Sequence, residues 1–136
     1  MKRSFSLFIL IFFLLIGVSG CTKNDYILLF NHKPITKETV LKNSKDFSVG
    51  EKIYYIFISQ KPLKSNYIRI YVKKEDENAG YFGEQTIYGN DHRLYKDQVY
   101  YFNDYIVFHE RGHYLMLVYL RDNDYKPLAC ADFYVR

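Results

Sequence analysis

From Tyr67 to Lys73 the chain alternates strictly, with Ile68, Ile70 and Val72 separated by Arg69 and Tyr71 and followed by Lys73. A period of two places three branched apolar side chains on one face and polar or amphipathic ones on the other, which is a strand with one buried face. Ile53 to Ser59 (IYYIFIS) is a second run of strand length, introduced by the turn-like Ser48-Val49-Gly50-Glu51 and divided from the first by the loop Gln60 to Ser65. Tyr105–Phe108, Tyr114–Leu120 and Leu128–Val135 read as the last three strands, with Arg121 to Asp124 as the turn between the final two. Residues 75–98 are polar and contain glycine; they read as connections with short strands around Gln85–Tyr88 and Leu94–Lys96. Thr36 to Asn43 is the one weak helical candidate. All 15 tyrosines lie beyond residue 20 and there is no tryptophan, a composition that favours pleated, half-buried surfaces. About seven short strands with turn signals every 8 to 12 residues predict a single antiparallel sandwich or barrel.

The first 20 residues belong to another category. Lys2 and Arg3 precede an apolar run from Phe5 to Val18, and small residues lead into Cys21. A charged start, a short apolar core and a small-residue ending mark a cleaved signal peptide, and the run is shorter than the roughly 20 residues a spanning helix needs. Val18-Ser19-Gly20-Cys21 resembles the lipobox of bacterial lipoproteins. That resemblance implies cleavage before Cys21, a covalent diacylglyceryl lipid on its sulfur and anchoring to a membrane of the cell envelope. Thr22 stands where an aspartate would retain an enteric lipoprotein at the inner membrane, so the outer membrane is expected if the organism is Gram-negative. The expected organisation is a signal peptide over 1–20, a lipidated tether or first strand over 21–44, and the sandwich over 45–136.

Lipidation of Cys21 would leave Cys130 alone, with no disulfide framework available. Its setting, Leu128-Ala129-Cys130-Ala131, suits an inert buried thiol. The formal net charge is +4. Two of those charges are Lys2 and Arg3, and the basic residues beyond them are interleaved with acidic ones, as in Lys73-Lys74-Glu75-Asp76-Glu77. No stripe fit for a phosphate backbone is present, so a nucleic-acid partner is not expected.

Glu110-Arg111-Gly112-His113-Tyr114-Leu115-Met116 resembles the immunoglobulin-fold stretch D-x-G-x-Y-x-C at the corner into strand F, with Glu for Asp and Met116 at the cysteine position. The resemblance implies that Tyr114 is the tyrosine of a tyrosine corner, its hydroxyl bonded to the chain a few residues upstream, and that Gly112 stands where a side chain is unwelcome. The strand B cysteine and core tryptophan of that family are missing, which points to the disulfide-free immunoglobulin-like or fibronectin-like sandwiches of bacterial surface proteins.

His109-Glu110-Arg111-Gly112-His113 also fits H-E-x-x-H, which on a helix supplies two zinc ligands and a general base. In this alternative His109 and His113 are metal ligands, Glu110 is catalytic, and the chain is a small zinc-dependent hydrolase. The pattern works only on a helix, where residues four apart are about 5–6 Å apart; along a strand the same spacing is about 13 Å. The flanks are β-branched and aromatic, and no glutamate follows Glu110 to complete a gluzincin ligand set. The strand-corner reading is therefore preferred, with no enzyme activity and no cofactor beyond the covalent lipid. His32 and His92 lie in loop-like sequence and are expected to be solvated. Glu75 to Asn78 offers hard oxygen ligands for calcium but reads as a loop tip. Tyr67, Tyr71, Tyr100, Tyr101 and Tyr105 exceed what a core can take, and suggest a surface for a protein or glycan partner. The expected role is a non-catalytic binding or structural module, with an envelope enzyme inhibitor or immunity-type lipoprotein as a further alternative.

Overall fold

A computed structural model describes residues 25–76, 81–123 and 125–136. Eight strands run through them: β1 (Tyr26–Asn31), β2 (Asp46–Phe47), β3 (Lys52–Ser59), β4 (Tyr67–Asp76), β5 (Tyr81–Arg93), β6 (Tyr101–Val107), β7 (Gly112–Leu120) and β8 (Ala129–Val135). They form two sheets, ordered β1-β3-β6 and β2-β8-β7-β4-β5. The protein is an all-β sandwich. In immunoglobulin terms β1, β3 and β6 take the A, B and E places, and β4, β5, β7 and β8 take C, C′, F and G. All pairings are antiparallel except β2 with β8, which is parallel, Asp46 facing Tyr134 and Phe47 facing Val135.

Alternation builds the core. Ile68, Ile70 and Val72 of β4 point inward and are buried, as are Ile53, Tyr55 and Phe57 of β3. They meet Tyr114, Met116 and Val118 of β7 and Phe133 of β8. Phe133 is a hub of rings, with Phe30 at 4.9 Å, Tyr114 at 5.6 Å and Phe108 at 5.9 Å.

The described part of the expected tether, residues 25–44, divides in two. Residues 26–31 form β1, inside the first sheet, so the sandwich takes in chain ahead of residue 45. Residues 36–42 form successive turns rather than a helix, closed by Val40 N–H to Thr36 O at 2.9 Å and Lys42 N–H to Thr39 O at 2.9 Å. Beyond them Ser44 N–H donates to Phe30 O at 2.8 Å, so this segment borders the free edge of β1. Among the described residues no helix is long and apolar enough to cross a membrane.

The antiparallel strands give the sandwich two ends. One, here the tyrosine end, gathers Asp25, the 60–66 and 94–100 loops and the 121–128 loop. They are tied together by Gln60 N–H to Asp25 O at 2.9 Å, Leu63 N–H to Val99 O at 2.8 Å and Arg121 N–H to Tyr67 O at 3.3 Å. The other, the corner end, holds the 48–51 turn, the 108–111 corner and Arg136. There Gly50, with φ at 78°, donates its N–H to Phe108 O at 2.9 Å, and glycine adopts that left-handed conformation without the cost of a Cβ.

Candidate functional site

The five residues His109 to His113 fall in two settings. His109, Glu110 and Arg111 lie in the loop out of β6, while Gly112 and His113 open β7. The segment contains no helical turn, so the two histidines do not share the face a zincin requires. His109 is exposed beside Gly50, and Glu110 is exposed and paired with Lys74 at 3.3 Å. Among the described residues no group of three or more His, Cys, Asp and Glu is arranged to hold a metal ion.

His113 is the organising residue instead. Its Nδ1 lies 2.6 Å from Glu75 Oε2 of β4 and its Nε2 lies 2.7 Å from Asp132 Oδ2 of β8. The ring stacks flat on Tyr134 at 4.0 Å and meets the edge of Phe82 at 4.9 Å. Asp132 also accepts from Lys45 Nζ at 2.9 Å. One imidazole thus ties the three neighbouring strands β4, β7 and β8, and neither of its nitrogens is left over for a metal unless a carboxylate lets go. Burial pushes the Asp132 carboxyl up, but the hydrogen bonds from His113 and Lys45 outweigh it and hold the group below the ordinary aspartate range. Around this clamp, Glu75, Arg111, Gly112, His113, Tyr134 and Arg136 line a shallow concavity of about 410 Å³. Glu75 is paired with His113 inside it, and Arg136 is paired with Asp46 outside it at 2.7 Å.

At the corner itself, the Tyr114 hydroxyl donates to the Glu110 carbonyl at 2.7 Å. Its ring is buried and stacked on Phe108 at 4.5 Å. A Cβ on Gly112 would come within 2.5 Å of Lys74 Cε, so the glycine makes room for the lysine stem that runs to Glu110. Its φ is not in the left-handed region, and the neighbour it makes room for is the far end of a flexible side chain.

Of the other histidines, His32 is exposed as expected, whereas His92 is largely covered. His32 bonds Glu51 through Nδ1 and Ser44 Oγ through Nε2 at 2.9 Å, with its ring against Phe47 at 4.6 Å. Those contacts pin the chain ahead of β2 to the 48–51 turn. His92 belongs to β5 and packs on Phe102 of β6 at 4.8 Å. Its Nε2 is buried without a hydrogen-bond partner among the described residues, and burial outweighs Asp104 and Asp91 in holding the ring below the ordinary histidine value. Cys130 is buried and disulfide-bonded, which corrects the expectation of a lone inert thiol. The only other cysteine of the sequence, Cys21, lies outside the described residues, as do Glu77 and Asn78 of the calcium-like run.

The five tyrosines singled out in the sequence do not share one face. Tyr67 and Tyr71 lie half-buried on the outside of the five-stranded sheet, Tyr67 under the Arg121 guanidinium at 4.6 Å and Tyr71 against Tyr119 at 5.5 Å. Tyr105 is exposed on the outside of the other sheet, 5.7 Å from Tyr54 and capped by Lys52 at 4.6 Å. Tyr100 and Tyr101 belong to the tyrosine end, with Tyr95 and Tyr125, which sequence reasoning missed. The tyrosine count was the available signal; loop membership is what leaves these two exposed.

No protein-family profile matches the chain, and no curated protein matches it in sequence. Among solved structures the chain is similar to the soluble domain of PmoD from Methylocystis sp. ATCC 49242 (Rockwell), at a TM-score of 0.53 and 15% identity over 82% of this chain and 92% of that one. A β-glucosidase from Listeria innocua aligns at a TM-score of 0.42 and 10% identity, over 82% of this chain and 16% of that one. The alkylpurine DNA glycosylase AlkC of Pseudomonas fluorescens aligns at 0.39 and 12%, over 90% of this chain and 33% of that one. At 15% identity the likeness to the first of these is one of fold alone.

Proposed function

We propose that the chain is a lipid-anchored module of the bacterial cell envelope that binds or scaffolds without catalysis. The observation that carries this reading is the junction between the lipobox Val18-Ser19-Gly20-Cys21 and a folded domain whose first strand opens at Tyr26. A tether this short holds the sandwich against the membrane that receives the lipid. Two or more acyl chains make such an anchor stable, where one is marginal. The self-paired charges of the corner end also support a structural or binding role: His113, Glu75 and Asp132 satisfy one another rather than waiting on a substrate. Under this reading the partner is a protein or glycan of the envelope, and the receiving membrane is the outer one in a Gram-negative organism.

Lipidation consumes the Cys21 sulfur, so the anchored form and a Cys21–Cys130 disulfide exclude one another within one chain. Intact mass and thiol alkylation of protein extracted from membranes therefore test the anchor directly. The expected result is a chain beginning at Cys21 with an added diacylglyceryl mass. Cys21→Ser should abolish the lipid mass. A mature chain with no lipid and no alkylatable thiol would overturn the anchor and identify an exported, disulfide-closed domain instead.

A further inference from the structure

Exposed aromatic side chains crowd one end of the molecule. Tyr95 is 72% exposed, Val99 38%, Tyr100 50% and Tyr125 96%, with Tyr101 beside them at 36%. All five belong to the loops, or the first strand residue, of the tyrosine end. Lys61, Lys64, Lys96 and Lys126 are exposed on the same loops. Of the described acidic residues there, Asp25 is engaged by Lys61 at 3.1 Å, Asp122 accepts from Ser65 Oγ at 3.1 Å, and Asp97 is exposed beside Lys96. The same end receives the N-terminal segment. Asp25, hydrogen-bonded to Gln60, lies four positions after Cys21, and four residues reach at most about 14 Å.

We propose that the tyrosine end rests on the bilayer surface, its tyrosine rings at the level of the lipid headgroups and its lysines toward anionic phosphates. The proposal deepens the lipid-anchor reading and rests on it for the short tether. Tyrosine has an apolar ring and a polar tip, and it concentrates at membrane–water interfaces for that reason. Lysine stems lie along apolar surface while the ammonium reaches phosphate, and basic residues beside an anchor add attraction to an anionic leaflet. The geometry favours a bilayer over a protein partner. The exposed rings sit on two separate loops, at 95–101 and at 125, and only a broad, yielding surface meets both without a matching shape. The two readings of the N-terminal segment also meet here, since a lipid on Cys21 can lie no farther than its tether from Asp25.

The chain contains no tryptophan, so a single introduced tryptophan is a clean reporter. Full-length protein processed in cells and purified from membranes is reconstituted in vesicles of phosphatidylcholine and phosphatidylglycerol, with brominated acyl chains as the quencher. Tyr100→Trp reports on the tyrosine end and Val49→Trp on the corner end. The expected result is severalfold stronger quenching at position 100 than at 49. Tyr95→Ser with Tyr125→Ser is expected to weaken the quenching at position 100 without removing the anchor. Equal quenching at both ends, quenching at 49 alone, or none at either overturns the proposal. Shielding of position 100 from aqueous iodide in native membranes but not in lipid vesicles also overturns it, in favour of another envelope molecule at that end. Intact mass of the same sample reads the anchor separately: absent lipid sinks the anchor reading, while the quenching ratio still decides which end meets the bilayer.

Discussion

The two ends of the sandwich are built from the same kinds of residue in opposite states. At the corner end, tyrosine is buried: the Tyr114 hydroxyl is bonded to Glu110 O and its ring lies between Phe108 and Phe133. Charge there is paired across strands, His113 with Glu75 and Asp132, Asp132 with Lys45, and Arg136 with Asp46. At the tyrosine end, the rings of Tyr95, Tyr100 and Tyr125 face solvent and the lysines are exposed. The difference separates folding from contact. An aromatic–charge pair that satisfies itself internally fixes strand register, and one left open at a loop tip is available to something outside the chain.

Breaking the closed end should cost most. Tyr114→Ala removes a fully buried ring from the β7–β8 core and is expected to destabilise the fold by about 3–5 kcal/mol. Tyr114→Phe keeps the ring and leaves Glu110 O to solvent, with an expected loss of about 1 kcal/mol. Chemical denaturation of the two variants side by side separates packing from the hydroxyl, and equal losses would refute the corner hydrogen bond as a contributor. His113→Ala should cost about 1 kcal/mol, because the clamp is partly exposed and exposed pairs are worth little. It should also raise the Asp132 titration toward the ordinary range, readable by NMR.

Acid should unpick the molecule in an order set by place. His92, between β5 and β6, is held below its ordinary value by burial. The unfolded chain takes up that proton before the fold does, so stability falls as pH drops below about 6.5. Asp132 and Glu51, at the corner end, are held below theirs. In each, burial acts upward but is outweighed, for Glu51 by the Ser48 N–H and His32. Their contribution is complete above the ordinary carboxylate range and is lost as pH falls through the depressed folded values. Thermal melts against pH should therefore show a first decline in the histidine range, removed by His92→Phe, and a second in the acid range, reduced by Asp132→Asn. A single decline confined to the carboxylate range would show that His92 contributes nothing.

Which parts were legible in the sequence follows the same division between local and distant causes. β4 was plain because it has one wet face and one dry face, and Ile68, Ile70 and Val72 say so. The corner was legible because Gly112, Tyr114 and Glu110 lie within five residues of one another. β5 was read as fragments because an edge strand pairs on one side only and can carry polar residues such as Asn90 and Asp91 along its length. The polar start of β6, Asn103 and Asp104, hid its first half in the same way. β2 is two residues long and exists only through its parallel pairing with β8. The clamp on His113 had no local signature, since its partners lie 38 and 19 residues away and only the sheet order brings them together. The H-E-x-x-H letters fall on a strand corner without a helical turn, because periodicity decides geometry before a motif can act.

The smallest effect on stability is the most telling one. Tyr95→Ser, Tyr100→Ser and Tyr125→Ser each remove a ring that packs little against the protein, and each should change unfolding free energy by no more than about 0.5 kcal/mol. A residue that contributes nothing to the fold, yet is large, apolar and clustered with others, carries a solvation cost that its own chain does not offset. If the triple variant unfolds like the unsubstituted protein but loses its vesicle contact, the two ends are separable devices, one that folds the domain and one that seats it. If the triple variant is instead markedly less stable, the tyrosines pack on their own loops, and the open end is as much a part of the fold as the corner.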